Sequence, residues 1–109
     1  MRFVSLLAFA SAVLAKCRDP TYYPAIAYRA DDCEEPSQKV PKYEECTKLD
    51  FGGHLNSLKI GERTESCKLY QNHNCLGNAR AVNHTMDVIT DPEIIATYSL
   101  KCFKSASQK

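Results

Sequence analysis

Residues 28–35, YRADDCEE, and residues 70–77, YQNHNCLG, decide the fold, because they are one segment met twice. Tyr28 aligns with Tyr70 and Cys33 with Cys75 at an offset of 42. Carried outward, the same offset aligns Val40 with Val82 and Ser57-Leu58-Lys59 with Ser99-Leu100-Lys101. Residues 26–60 and 68–102 are therefore two copies of one structural unit, six identities without a gap. The matched residues are a strand-type aromatic, a cysteine and a closing Ser-Leu-Lys strand. These are framework parts rather than catalytic ones.

The flanks of the matched residues read as strands. Tyr22 to Arg29 and Cys67 to Gln71 are rich in aromatic and apolar residues, and Leu55 to Ile60 and Ala96 to Phe103 alternate apolar with polar. Turn formers separate them: Asp31-Asp32, Pro36-Ser37, Gly52-Gly53, Gly61, Asn72-His73-Asn74 and Gly77-Asn78. Short strands between turns are an all-β signature. One helical turn is expected over residues 91–95, with Asp91 as N-cap and Pro92 at the first helical position. The polar tail Lys104 to Lys109 lacks an apolar anchor and is expected to fray.

Residues 1–15 have the pattern of a secretory signal peptide. Arg2 is its positive end, Phe3 to Leu14 its apolar run and Val13-Leu14-Ala15 its cleavage site, so the mature chain is expected to start at Lys16. The run is too short for a transmembrane segment, which needs about 20 residues. A secreted, extracellular protein is the expectation. Without Arg2 the 14 basic residues become 13, equal to the 13 acidic ones. That balance disfavours nucleic acid as a partner and a polycation acting on membranes.

The six cysteines, at 17, 33, 46, 67, 75 and 102, all follow the cleavage site. In a small exported domain they imply three disulfides, with fifteen connectivities open. Zinc would require closely paired ligands, which the intervals of 16, 13, 21, 8 and 27 do not supply.

An aromatic at Tyr70, a glycine seven residues later at Gly77 and a closing serine at Ser99 resemble the Greek-key signature of the βγ-crystallin family, as found in small secreted fungal proteins. The resemblance implies an all-β fold of two Greek-key motifs packed as a β sandwich, here stapled by disulfides. The two keys would cover about residues 22–61 and 66–104 of a single domain spanning 16–109. It implies that the aromatic, Tyr28 or Tyr70, packs over a folded hairpin. The glycine would turn that hairpin at positive φ, and the serine, Ser57 or Ser99, would hydrogen-bond onto it. In the first unit Glu35 stands where Gly77 stands in the second. Glu is strained at positive φ, so that hairpin is expected to be opened or shifted. The family's layout, with first and last strands of a key side by side, implies a Cys67–Cys102 bridge. Cys33–Cys46 within one key and Cys17–Cys75 complete the expected set.

The family's calcium motif is a paired Asp/Asn, two spacers and Ser/Thr-Ser. Here the corresponding positions hold Gly52-Gly53 with Asn56, and Ile94-Ile95 with Tyr98. Neither supplies the oxygens that a hard cation requires, and no metal or cofactor is expected. The acidic pairs Asp31-Asp32, Glu34-Glu35 and Glu44-Glu45 read as solvated loops. His54, His73 and His84 lack partners at ligand spacing, and no nucleophile elbow or phosphate loop is present. The chain is not expected to be an enzyme.

Asn83-His84-Thr85 is a glycosylation sequon. The non-repeating stretches Glu34 to Glu45 and Ala79 to Glu93 are the expected contact loops, with Lys42, Tyr43, Arg80 and His84 as candidate binding residues. The reading that follows is a secreted, effector-like binding protein whose partner is an extracellular macromolecule such as a host protein or glycan. An antimicrobial of the killer-toxin kind and an extracellular hydrolase inhibitor are the alternatives.

Overall fold

The computed structural model describes residues 16–106. The leader read at residues 1–15 and the last three residues lie outside them. Among the described residues seven strands form two antiparallel sheets. β1 (Ala25–Tyr28), β2 (Ser37–Val40) and β4 (Ser57–Ile60) make a sheet in the order β2-β1-β4. β3 (Thr47–Lys48), β5 (Thr64–Tyr70), β6 (Ala79–Val82) and β7 (Ser99–Lys104) make a second in the order β3-β7-β5-β6. The short helix α1 covers Pro92–Ile95, and Asp91 caps it by accepting the Glu93 N–H at 2.9 Å.

The 42-residue repeat is visible in the register. Tyr28 pairs with Ser57 and Ala25 with Ile60, as Tyr70 pairs with Ser99 and Cys67 with Cys102. The third strand of each unit crosses to the other unit's sheet. β3 pairs with β7, Thr47 opposite Leu100. In return Met86 of the second unit bridges Leu58 of β4, with N–H to carbonyl distances of 2.9 and 3.0 Å. Sequentially early residues are thus built into the later half, and the sandwich closes as one body.

The core between the sheets also obeys the repeat. Ala25, Ala27, Val40 and Leu58 face Cys67, Leu69, Val82 and Leu100 in one buried cluster. Leu49 and Ile89, one from each crossing segment, complete it. The Cys67–Cys102 bridge lies in this cluster, in the place where the first unit packs Ala25 against Ile60.

The other two disulfides differ from the expected set: the bridges are Cys17–Cys33 and Cys46–Cys75. The crossing of β3 is the reason. Cys46 immediately precedes β3, and the Glu44 N–H bonds the Cys102 carbonyl at 2.8 Å, so this segment runs along the second sheet and meets the second unit's hairpin. Cys33 is left on the first sheet. There the N-terminal segment folds back across the outer face, where Cys17, Cys33, Ile26 and Tyr28 form their own buried cluster.

Three expectations about segments also change. Tyr22 to Pro24 precede β1 rather than belonging to it, since Pro24 has no N–H to give a ladder. Ala79–Val82 of the expected contact loop is strand β6. Lys104 ends β7 and the Ser105 N–H bonds the Arg63 carbonyl at 2.9 Å, so the tail is held as far as Ser105.

Candidate functional site

The signature residues build two equivalent clasps. Ser57 Oγ accepts the Cys33 N–H at 2.9 Å and donates to the Ala30 carbonyl at 2.7 Å. Ser99 Oγ accepts the Cys75 N–H at 3.0 Å and donates to the Asn72 carbonyl at 2.5 Å. Both serines are fully buried, and Tyr28 and Tyr70 are buried beside them. Burial raises the Tyr28 phenol above its usual value, with Glu35 and Asp19 adding to the effect.

The hairpins differ as Glu35 requires. In the second, Cys75 (φ 54°) and Gly77 (φ 84°) are left-handed. In the first, Cys33 (φ 56°) keeps its place and the other left-handed residue moves to Asp32 (φ 60°), a type that tolerates that region. Glu35 is relieved and joins Pro36 through a cis peptide.

The positions of the calcium motif are filled differently from a cation site. The Tyr98 ring lies against Gly52-Gly53, so close that a Cβ on Gly52 would stand 2.4 Å from its Cδ2. His73 meets the same ring edge-on at 5.0 Å between centroids. A carboxylate or amide side chain cannot be placed at Gly52 without moving Tyr98, and glycines offer no side-chain oxygen. The residues present do not fit calcium held in the family's manner.

The candidate contact residues fall into two kinds. Lys42 and His84 are exposed, and so is Asn83 of the sequon, whose Oδ1 lies 3.2 Å from His84 Nδ1. Thr85 of the sequon turns inward, its hydroxyl accepting the Ile60 N–H at 3.0 Å. Tyr43 packs on the core and shares a hydrogen bond of 2.9 Å with the Thr64 hydroxyl. Arg80 bridges Asp91 at 3.0 Å and Glu93 at 2.7 Å, locking β6 to α1. The Glu93 N–H, opposed by desolvation and helped by Arg80, holds the Asp91 carboxyl below its usual range. Lys42, His84 and Arg80 are thus exposed, Arg80 with its guanidinium paired to two surface carboxylates, whereas Tyr43 is turned toward the core.

One surface was not read from the sequence. Tyr22 and Tyr23, assigned above to a strand, stand 72% and 44% exposed. With Pro20, Pro24 and Pro41 they line an open hollow of about 520 Å³. Arg63 lies 5.3 Å from the Tyr22 ring centre and Lys39 5.4 Å from that of Tyr23. The flanking prolines were the available signal that these tyrosines stand outside a ladder.

No family model and no curated protein matches the sequence. Solved structures do. The chain is similar to a βγ-crystallin domain of Abundant Perithecial Protein from Neurospora crassa, solved in the Ca2+-bound form, at TM-score 0.61 and 14% identity over 82% of this chain and 99% of that one. A βγ-crystallin domain from Flavobacterium johnsoniae gives 0.63 and 14% over 76% and 97%. One from Clostridium beijerinckii gives 0.61 and 13% over 75% and 99%. The fold is that of a βγ-crystallin domain, two Greek keys packed as a disulfide-stapled β sandwich. At such identity the likeness carries the fold alone. Among the described residues no helix is long and apolar enough to cross a membrane.

Proposed function

We propose that the chain is an exported, non-enzymatic binding protein of effector-like type, acting outside the cell on another macromolecule. The observation that supports this reading is that its conspicuous residues are committed to the framework. Tyr28, Tyr70, Ser57, Ser99 and all six cysteines are consumed by clasps, core and bridges. The non-repeating surface of a stapled frame is left to carry specificity, as loops on scaffolds commonly do. Lys42 and His84 belong to that surface, and a glycan on Asn83 would lie beside His84. The calcium in the Neurospora crassa domain is not carried over, because Tyr98 and Gly52-Gly53 do not fit it.

The test begins with the intact mass of the exported protein, expected to start at Lys16 with six hydrogens fewer than the reduced chain. The same protein is then used to capture partners from host extracts, beside growth-inhibition and protease-inhibition assays. A saturable partner lost on substituting exposed residues supports the reading. Turnover of a substrate by the purified protein would make it wrong.

A further inference from the structure

We infer that the tyrosine–proline hollow is a binding site for an anionic polysaccharide, an inference that rests on the binding reading above and assigns it a partner class. Tyr22 and Tyr23 are large rings that the fold holds outward, on a segment pinned at one end by the Cys17–Cys33 bridge and stiffened by prolines. Exposed aromatic rings with adjacent arginine are the residue types that dominate binding energy, and a rigid platform loses little freedom when it is occupied.

Part of the backbone around the hollow is already used. The Thr21 carbonyl accepts the Glu62 N–H at 3.0 Å, the Pro24 carbonyl accepts from Gly61 N–H and the Thr64 hydroxyl, and the Tyr23 N–H bonds the Thr21 hydroxyl. Prolines add no donor. Residues 22–24 are not a strand edge, and these bonds and prolines interrupt the regular ladder that an added peptide strand would need. A partner is recognised by ring faces, phenol hydroxyls and charge.

The charge is positive. Arg63 and Lys39 stand against the two rings, and Lys39, Ile26 and Lys59 form one row across the sheet beneath. Glu35 exerts its field on Tyr28, at the other end of β1. Glu62, exposed beside Arg63, and Asp19, exposed next to Pro20, are acidic neighbours at this end, and neither is held against a ring as Arg63 and Lys39 are. An acidic sugar chain satisfies these conditions together. Its flat C–H faces stack on tyrosine, its hydroxyls meet the phenols, and its repeated carboxylates meet Lys39 and Arg63. The hollow is open rather than enclosed, which suits a chain lying across it more than a small molecule buried within it.

The experiment titrates the exported, disulfide-intact protein with polygalacturonate oligomers, with their methyl-esterified neutral counterparts and with an acidic proline-rich peptide. The acidic oligomer is expected to bind about tenfold or more tighter than the neutral one, and to weaken as salt rises. Tyr22→Ala and Tyr23→Ala are each expected to lose about tenfold, with circular dichroism and melting unchanged because both rings are exposed. Arg63→Gln and Lys39→Gln should flatten the salt dependence. Equal affinity for acidic and neutral oligomers, full affinity in both tyrosine variants, absence of binding, or preference for the peptide would each overturn the inference. If a host partner is still captured by the tyrosine variants while polygalacturonate fails, this inference falls and the binding reading stands. Turnover of a substrate without any capture would overturn both.

Discussion

Ser99 and Cys75 are joined by a buried hydrogen bond of 3.0 Å from the cysteine's N–H to the serine's hydroxyl oxygen, and 42 residues earlier Ser57 and Cys33 repeat it at 2.9 Å. Each bond ties the last strand of a key to the hairpin that follows its first strand. Both serines are fully buried.

Removing either hydroxyl leaves an N–H and a carbonyl without their partner. Ser57→Ala and Ser99→Ala are each expected to cost about 1–3 kcal/mol, seen as a fall of several degrees in melting midpoint. Thr85→Ser, which keeps the hydroxyl that accepts the Ile60 N–H, serves as a mild control. Unchanged midpoints in both serine variants would remove the clasp from the account of stability.

Tyr98 packed on Gly52-Gly53 makes a second prediction. Gly52→Ala places a methyl where Tyr98 Cδ2 stands, and overpacking of this kind costs about 1–3 kcal/mol. Calcium is expected to leave the midpoint where it is, since a ligand stabilises only by binding the folded state. A rise at millimolar calcium, reversed by a chelator, would reveal oxygens that have formed a site elsewhere.

The Asp91 carboxyl is held below its usual value by the Glu93 N–H and by Arg80. A depressed carboxylate contributes stability above its unfolded pKa, and that contribution is lost as pH falls through the folded one. Asp91→Asn can still cap α1 but no longer titrates. Its melting midpoint should fall less steeply than the parent's below about pH 4. Parallel curves for the two proteins would assign the acid sensitivity to other groups.

Much of this fold was legible because the two halves repeat residues whose roles are local. Tyr28, Ser57, Tyr70, Ser99 and Gly77 each act within one key, and Asp91-Pro92 fixes a helix start within three positions. What escaped was non-local. β3 has only two residues, and β2 (SQKV) is polar in three of its four positions, so neither carries an apolar pattern to read. The disulfides depended on the crossing of β3, which places Cys46 beside Cys75 rather than Cys33. The exposed tyrosines were hidden by composition: aromatic residues beside apolar ones look like a strand until the prolines are placed.

The Cys17–Cys33 bridge holds residues 17–24 over the outer face of the first sheet, and its removal should release that segment while the sandwich stays folded. A bridge closing a loop of this length contributes about 3 kcal/mol by restricting the unfolded chain, so the double variant Cys17→Ser with Cys33→Ser should melt well below the parent. The remaining core lies between the sheets and keeps Cys67–Cys102, and the Cys46–Cys75 bridge outside it is also intact. Release has a local signature. The Gly61 and Glu62 amides bond to the Pro24 and Thr21 carbonyls, so both should exchange faster with deuterium. Tyr28 should lose part of its burial and the field of Asp19, and its phenol should titrate closer to the ordinary value. In the matching Cys46→Ser with Cys75→Ser variant, Gly61 and Glu62 should keep their protection. Equal protection of these two amides in both variants would mean that packing on Ile26, and not the bridge, holds the segment down.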